Sequence, residues 1–268
     1  MTITSTATEP RLRVRPRVWI GLVIYVAYVA VVFTVQLLSG VPYTAFGDSG
    51  RNLFLGAGLS LIVGAVLLAI TTTALGWWRP ALFDRHRAAH RWPIIAPAIM
   101  VVALIVNLAS TDWGSYDGGF FAASVVLLLV GFTEELTTRG LLLVGLRSRL
   151  SEVWVWLITS ALFGLMHLIN AVSGQPLGPT ITQVVLAAGA GTVLYVLRRV
   201  TGSLIWAMIL HGFWDFSTFA IGHGTPGPLA LLGGTMEIVA IIVALIGVAF
   251  VIRGADERLL AARPRVAA

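Results

Sequence analysis

The run G-F-T-E-E-L-T-T-R-G at 131–140 places two adjacent carboxylates and a guanidinium inside an otherwise apolar stretch. On a helix, Glu135 and Arg139 are i,i+4 neighbours with the acid N-terminal, the favourable order for an ion pair. Glu134 points about 100° away around the helix and is left free for another partner. A carboxylate so placed can act as a general base toward water. The alternative is that Glu134, Glu135 and Arg139 form one neutralising cluster that only holds helices together.

Two further apolar runs carry imidazoles. Phe163 and His167 stand one turn apart in T-S-A-L-F-G-L-M-H-L. Taken alone, that histidine reads equally well as an interhelical hydrogen-bond donor. His211 and Asp215 share a helix face in L-H-G-F-W-D, a spacing at which the acid can fix the imidazole tautomer or raise its basicity. Glu237, near the outer end of the last apolar run, is expected to be structural. His86 and His90 lie among arginines and are given no metal role, and His223, in a loop beside glycine and proline, has no expected partner. The chain has no cysteine, which excludes disulfides, thiolate ligands and a cysteine nucleophile.

Elements that could hold these groups must be membrane helices. The 268 residues are 57% hydrophobic and 11% charged, with mean hydropathy +0.90, whereas soluble chains carry about 25% charged residues. Each ionisable side chain kept at mid-membrane costs roughly 2.5–3.5 kcal/mol on insertion scales, so its default explanation is function. A bilayer core needs about 20 apolar residues per helix, and runs near that length are Val18–Leu38, Leu53–Trp78, Pro93–Ala109, Phe120–Leu146, Val153–Val172, Thr180–Leu197, Leu204–Ile221 and Leu229–Ile252. The first is too long for a signal-peptide core and no A-x-A site follows it, so it is read as a retained helix. The expected fold is an all-α, polytopic bundle of about eight transmembrane helices, without internal repeats. A basic N-terminal tail (1–17) precedes one helical domain (18–252), and a basic tail (253–268) follows.

Arginine distribution orients the bundle. All 18 basic residues are arginine, and all but Arg51 and Arg139 fall in the tails or in alternate loops. That side is expected to be cytoplasmic, with both termini on it. The segment Arg79–Trp92 is read as an interfacial stretch on an anionic leaflet or as a solvated basic loop. Arginine without lysine reflects composition rather than a nucleic-acid patch, so no nucleic-acid partner is expected. Depth arithmetic places Glu134 about 21 Å below the outer surface and His211 about 10 Å above the inner one, which matches across a 30 Å core. His167, about 21 Å above the inner surface, fits only if its helix starts in the interface or tilts.

The three groups, in this order on separate spans, resemble the CPBP family of intramembrane proteases, which includes the CAAX prenyl endopeptidases and bacterial proteins linked to bacteriocin processing and self-immunity (Abi-like). E-E-x-x-x-R corresponds to Glu134, Glu135 and Arg139, F-x-x-x-H to Phe163 and His167, and H-x-x-x-N/D to His211 and Asp215. The resemblance covers about 120–220. It implies hydrolysis of a peptide bond, in a membrane-associated peptide or protein, by a water that Glu134 and His167 activate. His211 and the residue at 215 would stabilise the oxyanion, and Glu135, Arg139 and Phe163 would support them. Position 215 is Asp where many members carry Asn; an ionised Asp cannot donate to an oxyanion, so it would be protonated, orient a charged His211, or bind a cation.

The last option keeps a metal reading open. No metal ligand is assigned, but were the reaction metal-dependent, Glu134, His167, His211 and Asp215 would be the zinc set; the cofactor expectation is therefore none or Zn2+, with H-E-x-x-H absent. Expected partners are the lipid bilayer and the substrate, and the expected location is integral and multi-pass, in a bacterial plasma membrane. Two other functions compete: a non-catalytic immunity or assembly scaffold of the same fold, and a proton-coupled transporter, which the missing repeats disfavour.

Overall fold

The computed structural model describes residues 12–253; the outer parts of both expected tails, 1–11 and 254–268, lie outside the described residues. Eight helices are long and apolar enough to cross a membrane: α1 Val18–Ser39, α2 Gly50–Leu75, α3 Trp92–Ala109, α4 Gly118–Arg147, α5 Glu152–Val172, α6 Leu177–Thr201, α7 Leu204–Ile221 and α8 Ala230–Ile252. Lipid offers the backbone no hydrogen bonds, so each span satisfies its own. Among the described residues there is no strand, only an isolated bridge between Phe83 and Ser203.

Local chemistry sets where the spans stop. Gly40, Gly76 and Gly202 end α1, α2 and α6 in the left-handed conformation that only glycine adopts without strain. Asp117 opens α4 by accepting from the Phe120 amide at 2.6 Å. Consequently α4 begins two residues before the expected Phe120, and α6 runs on through Arg198 and Arg199.

The main core is built where α4, α5, α6 and α7 meet. Leu142, Leu143 and Leu146 pack there with Val155 and Phe163, Val193, Leu194 and Tyr195, and Leu204, Ala207, Leu210 and Trp214. Large apolar side chains such as Leu231, Ile242 and Ile246 of α8 are exposed, as expected of a surface that faces lipid.

The arginine-rich end differs from a solvated rim. Arg198 and Arg199 are fully buried, and the buried carboxylate of Asp84, in the segment read as an interfacial or solvated loop, meets Arg147 at 2.8 Å, Arg198 at 2.8 Å and Arg199 at 2.6 Å. Glu152 closes on Arg147 at 2.5 Å and accepts from the Tyr195 hydroxyl at 2.7 Å. Burial by itself would raise the Asp84 carboxyl, but Arg147, Arg198 and Arg199 outweigh it and hold that group well below the usual carboxylate range. These arginines therefore stitch the α2–α3 connection to α4 and α6 rather than only marking topology.

Candidate active site

Helix α4 carries the acidic pair on an irregular segment. It is α-helical over Leu129–Glu135, widens into π-type turns over Leu136–Leu142, and resumes as α-helix at Leu143. Such widened turns recur at functional sites because they rotate side chains out of the regular register. Glu135 and Arg139 are both fully buried and paired at 2.6 Å, as their spacing predicts. The Arg139 guanidinium also lies 3.9 Å from the centroid of the Phe163 ring.

Helix α7 approaches α4 closely because both present glycine at the crossing. A Cβ on Gly131 would fall 2.0 Å from the Met208 carbonyl oxygen, and one on Gly212 would fall 2.6 Å from that of Leu128. Small residues at such crossings let backbones touch. That contact sets His211 beside the acidic pair: its Nδ1 lies 3.1 Å from Glu135 Oε1. A carboxylate only accepts, so Nδ1 carries the proton. His211 Nε2 then faces Glu134 Oε2 at 3.8 Å and Asp215 Oδ1 at 3.7 Å, both beyond hydrogen-bonding distance. Of the two roles read for Asp215, fixing the His211 tautomer falls instead to Glu135, from another helix, which makes that hydrogen bond, while Asp215 stands on the opposite nitrogen.

On α5 the regular helix ends at Leu165 and tightens into a 3₁₀ turn over Met166–Leu168. His167 sits in that turn, and its Nδ1 donates to the Phe163 carbonyl at 2.9 Å, leaving Nε2 as the acceptor. Phe163 meets both imidazoles edge to face, His167 at 5.4 Å and His211 at 5.3 Å between centroids. One ring thus touches Arg139, His167 and His211, which explains an aromatic residue one turn before the histidine.

Two cavities meet at these groups. The smaller, about 110 Å³, is lined by Glu134, His167 and Asp215 with Tyr28 of α1. The larger, about 850 Å³, is lined by His167, His211 and Asp215 with Phe163 and Glu237. Glu134 and His167 line the same space, so the depth mismatch expected for His167 does not separate them. Glu134 Oε2 is buried and has no hydrogen-bond partner among the described residues.

Residues 116–217 match the family model described as type II CAAX prenyl endopeptidase, Rce1-like. This match supports a segment of the CPBP family of intramembrane proteases. The CPBP segment contains all seven motif residues, from Glu134 to Asp215, and spans the α4–α7 core. The protein is thus a multi-pass membrane protein carrying a segment of a protease family. No curated protein matches the chain.

Several cavity residues lie outside the matched segment and were given no part in the site by the sequence reading. Glu237 of α8, expected to be structural, lines the larger cavity. His223, expected to lack partners, stacks on Phe120 at 3.8 Å between centroids and sets its ring nitrogens 3.1 Å from the Gly47 carbonyl and 3.2 Å from that of Ser115. Tyr28, whose hydroxyl donates to Thr133 at 3.0 Å, carried no signal beyond being a polar group in a first span. Among the described residues no group of three or more His, Cys, Asp or Glu side chains is placed to hold a metal ion.

Proposed function

We propose that the protein is an intramembrane endopeptidase in which Glu134 activates water for attack on a peptide bond of a membrane-associated substrate. The observation that carries this reading is the unpartnered Glu134 Oε2, buried beside a cavity of about 110 Å³, room for several waters when one needs roughly 10–15 Å³ of such volume. Glu134 takes a proton from water as the oxygen bonds to the carbonyl carbon, and His167 Nε2, lining the same cavity, accepts a hydrogen bond from that water. The resulting oxyanion is held by His211, which in its protonated form donates through Nε2 between Glu134 and Asp215. Glu134 then returns the proton to the departing amine nitrogen as the C–N bond breaks. Glu135 and Arg139 orient His211 from behind, and Phe163 spaces the two imidazoles.

This path routes no step through a metal. The scaffold alternative leaves a carboxylate, two imidazoles and a substrate-sized cavity at one point without a task, and the transporter alternative lacks the internal repeats usual in such proteins. The test is hydrolysis of labelled peptides by the purified protein in lipid nanodiscs. Glu134→Gln is expected to lower kcat by about 10²–10⁴-fold, the usual yield of general-base catalysis. Unchanged turnover in that variant defeats the mechanism. Stoichiometric zinc by elemental analysis, lost in His211→Ala, defeats its metal-free form.

A further inference from the structure

Among the described residues, two buried side-chain oxygens without a hydrogen-bond partner line the smaller cavity: Glu134 Oε2 and Gln36 Oε1. The reaction proposed above uses the first and leaves the second without a task. Gln36 comes from α1, outside the matched segment. It continues the inward stripe of that helix, in which Tyr28, Val29, Val32 and Gln36 recur at helical spacing along the cavity wall. Its neighbours Leu37 and Leu38 are 64% and 80% exposed on the opposite side. A buried acceptor left unpaired costs the full desolvation of that group, so an amide turned inward on a membrane helix calls for a partner. The other neutral polar groups of the wall bond to one another: Asn170 Nδ2 donates to Gln183 Oε1 at 2.9 Å, and Gln183 Nε2 donates to the Tyr43 hydroxyl at 3.4 Å. Gln36 Oε1 stands outside that chain as an open acceptor.

Helix α1 also gives its distance from the chemistry. The Tyr28 hydroxyl bonds Thr133, the residue before Glu134, and Gln36 lies about two turns farther along, about 12 Å at 1.5 Å per residue. That direction leads away from the buried arginine cluster, toward the end of α1 at Ser39. An extended peptide advances about 3.3 Å per residue, so a chain with its scissile bond at Glu134 brings a residue about three or four positions away past Gln36. Such a peptide enters the membrane with main-chain N–H groups that neither water nor lipid satisfies. The substrate thus brings an unmet donor to the level where the wall holds an unmet acceptor. We propose that Gln36 is a substrate-binding residue whose Oε1 accepts a main-chain N–H of the peptide and so sets which bond lies over Glu134. A contact to the main chain is indifferent to side chains, so it serves peptides of any sequence.

This rests on the protease reading for the meaning of a scissile bond, but binding tests it separately from turnover. The probe is a fluorescent peptide of leucine and alanine, with a series in which one amide at a time is replaced by an ester, removing the N–H and keeping the shape. Cleavage at one chosen bond, read by mass spectrometry in nanodiscs, reports only peptides seated in one register. In the wild type, an ester about three or four residues from that bond should lower kcat/KM about five- to ten-fold, the worth of one neutral hydrogen bond. Gln36→Leu should lower kcat/KM of the parent peptide by the same factor and make that ester and the parent equal. A flat ester series in the wild type, which needs no variant, or an ester effect that survives Gln36→Leu overturns the proposal. Binding of the parent peptide to the Glu134→Gln protein, with and without Gln36→Leu, separates the two readings. A five- to ten-fold weaker affinity with Gln36→Leu, in a protein whose wild type hydrolyses no peptide, defeats the protease reading and leaves Gln36 as the peptide contact. Hydrolysis that depends on Glu134 but is untouched by Gln36→Leu defeats this proposal alone and marks Oε1 as a hydrated wall group.

Discussion

Asp84→Asn is expected to destabilise the bundle more than any other single change at its arginine-rich end. Asp84 accepts from Arg147, Arg198 and Arg199, all at 2.8 Å or less. Removing its charge leaves Glu152 as the carboxylate for Arg147 and Arg199, and leaves Arg198 to the backbone carbonyls of Ala81 and Pro80. Breaking a buried ion pair from one side costs about 3–5 kcal/mol because the partner charge stays buried; the amide keeps one acceptor oxygen, so the loss should fall in that range rather than scale with three pairs. The consequence reaches the site, since Arg198 also donates to the Arg139 carbonyl and so helps hold the widened turns of α4 below Glu134 and Glu135. Reversible unfolding in mixed micelles would measure the loss. The sign of its pH dependence follows from the depressed Asp84 carboxyl: its contribution is complete above the unfolded value near pH 4 and is lost as pH falls through the lower folded value. The gap between wild type and variant should therefore stay constant from pH 8 to about pH 5 and close only in stronger acid. A loss below about 1 kcal/mol, the worth of an exposed pair, or a gap that narrows between pH 8 and pH 6, refutes the assignment of a buried, charge-compensated cluster.

Two further outcomes follow from the helix crossing and from the shared ring. Gly131→Val pushes a side chain into the Met208 carbonyl, which a Cβ alone would meet at 2.0 Å; peptide turnover should fall about 100-fold, the cost of a misplacement near 1 Å, and the same change at Gly118, where a Cβ meets nothing within 4 Å, should leave turnover intact. Phe163→Leu removes the face under Arg139 and the edges against both histidines, so kcat should drop by about 10–100-fold with KM nearly unchanged, and a rise in KM at constant kcat would place Phe163 in substrate binding instead.

The number and limits of the spans were legible in the residue order because a bilayer core dictates helix length, and buried ionisable residues stand out against apolar runs. The Glu135–Arg139 pair was legible for the same local reason: i,i+4 geometry belongs to the helix itself, whatever surrounds it. Partnerships between helices were not. Whether Glu135 or Asp215 holds His211 depends on how α4 and α7 rotate against each other across 76 residues of sequence, and that rotation is set by the meeting of Gly131 with Gly212. Likewise, Arg147, Arg198 and Arg199 carry the same charge pattern whether they line a wet rim or bury Asp84, and Glu237 looks like an interfacial acid until α8 turns it into the cleft. Sequence alone determined a polytopic helical protein with a short set of chemically capable residues; tertiary packing decided which of them meet, because close helix contacts and buried charge compensation are properties of pairs of surfaces that no single helix contains.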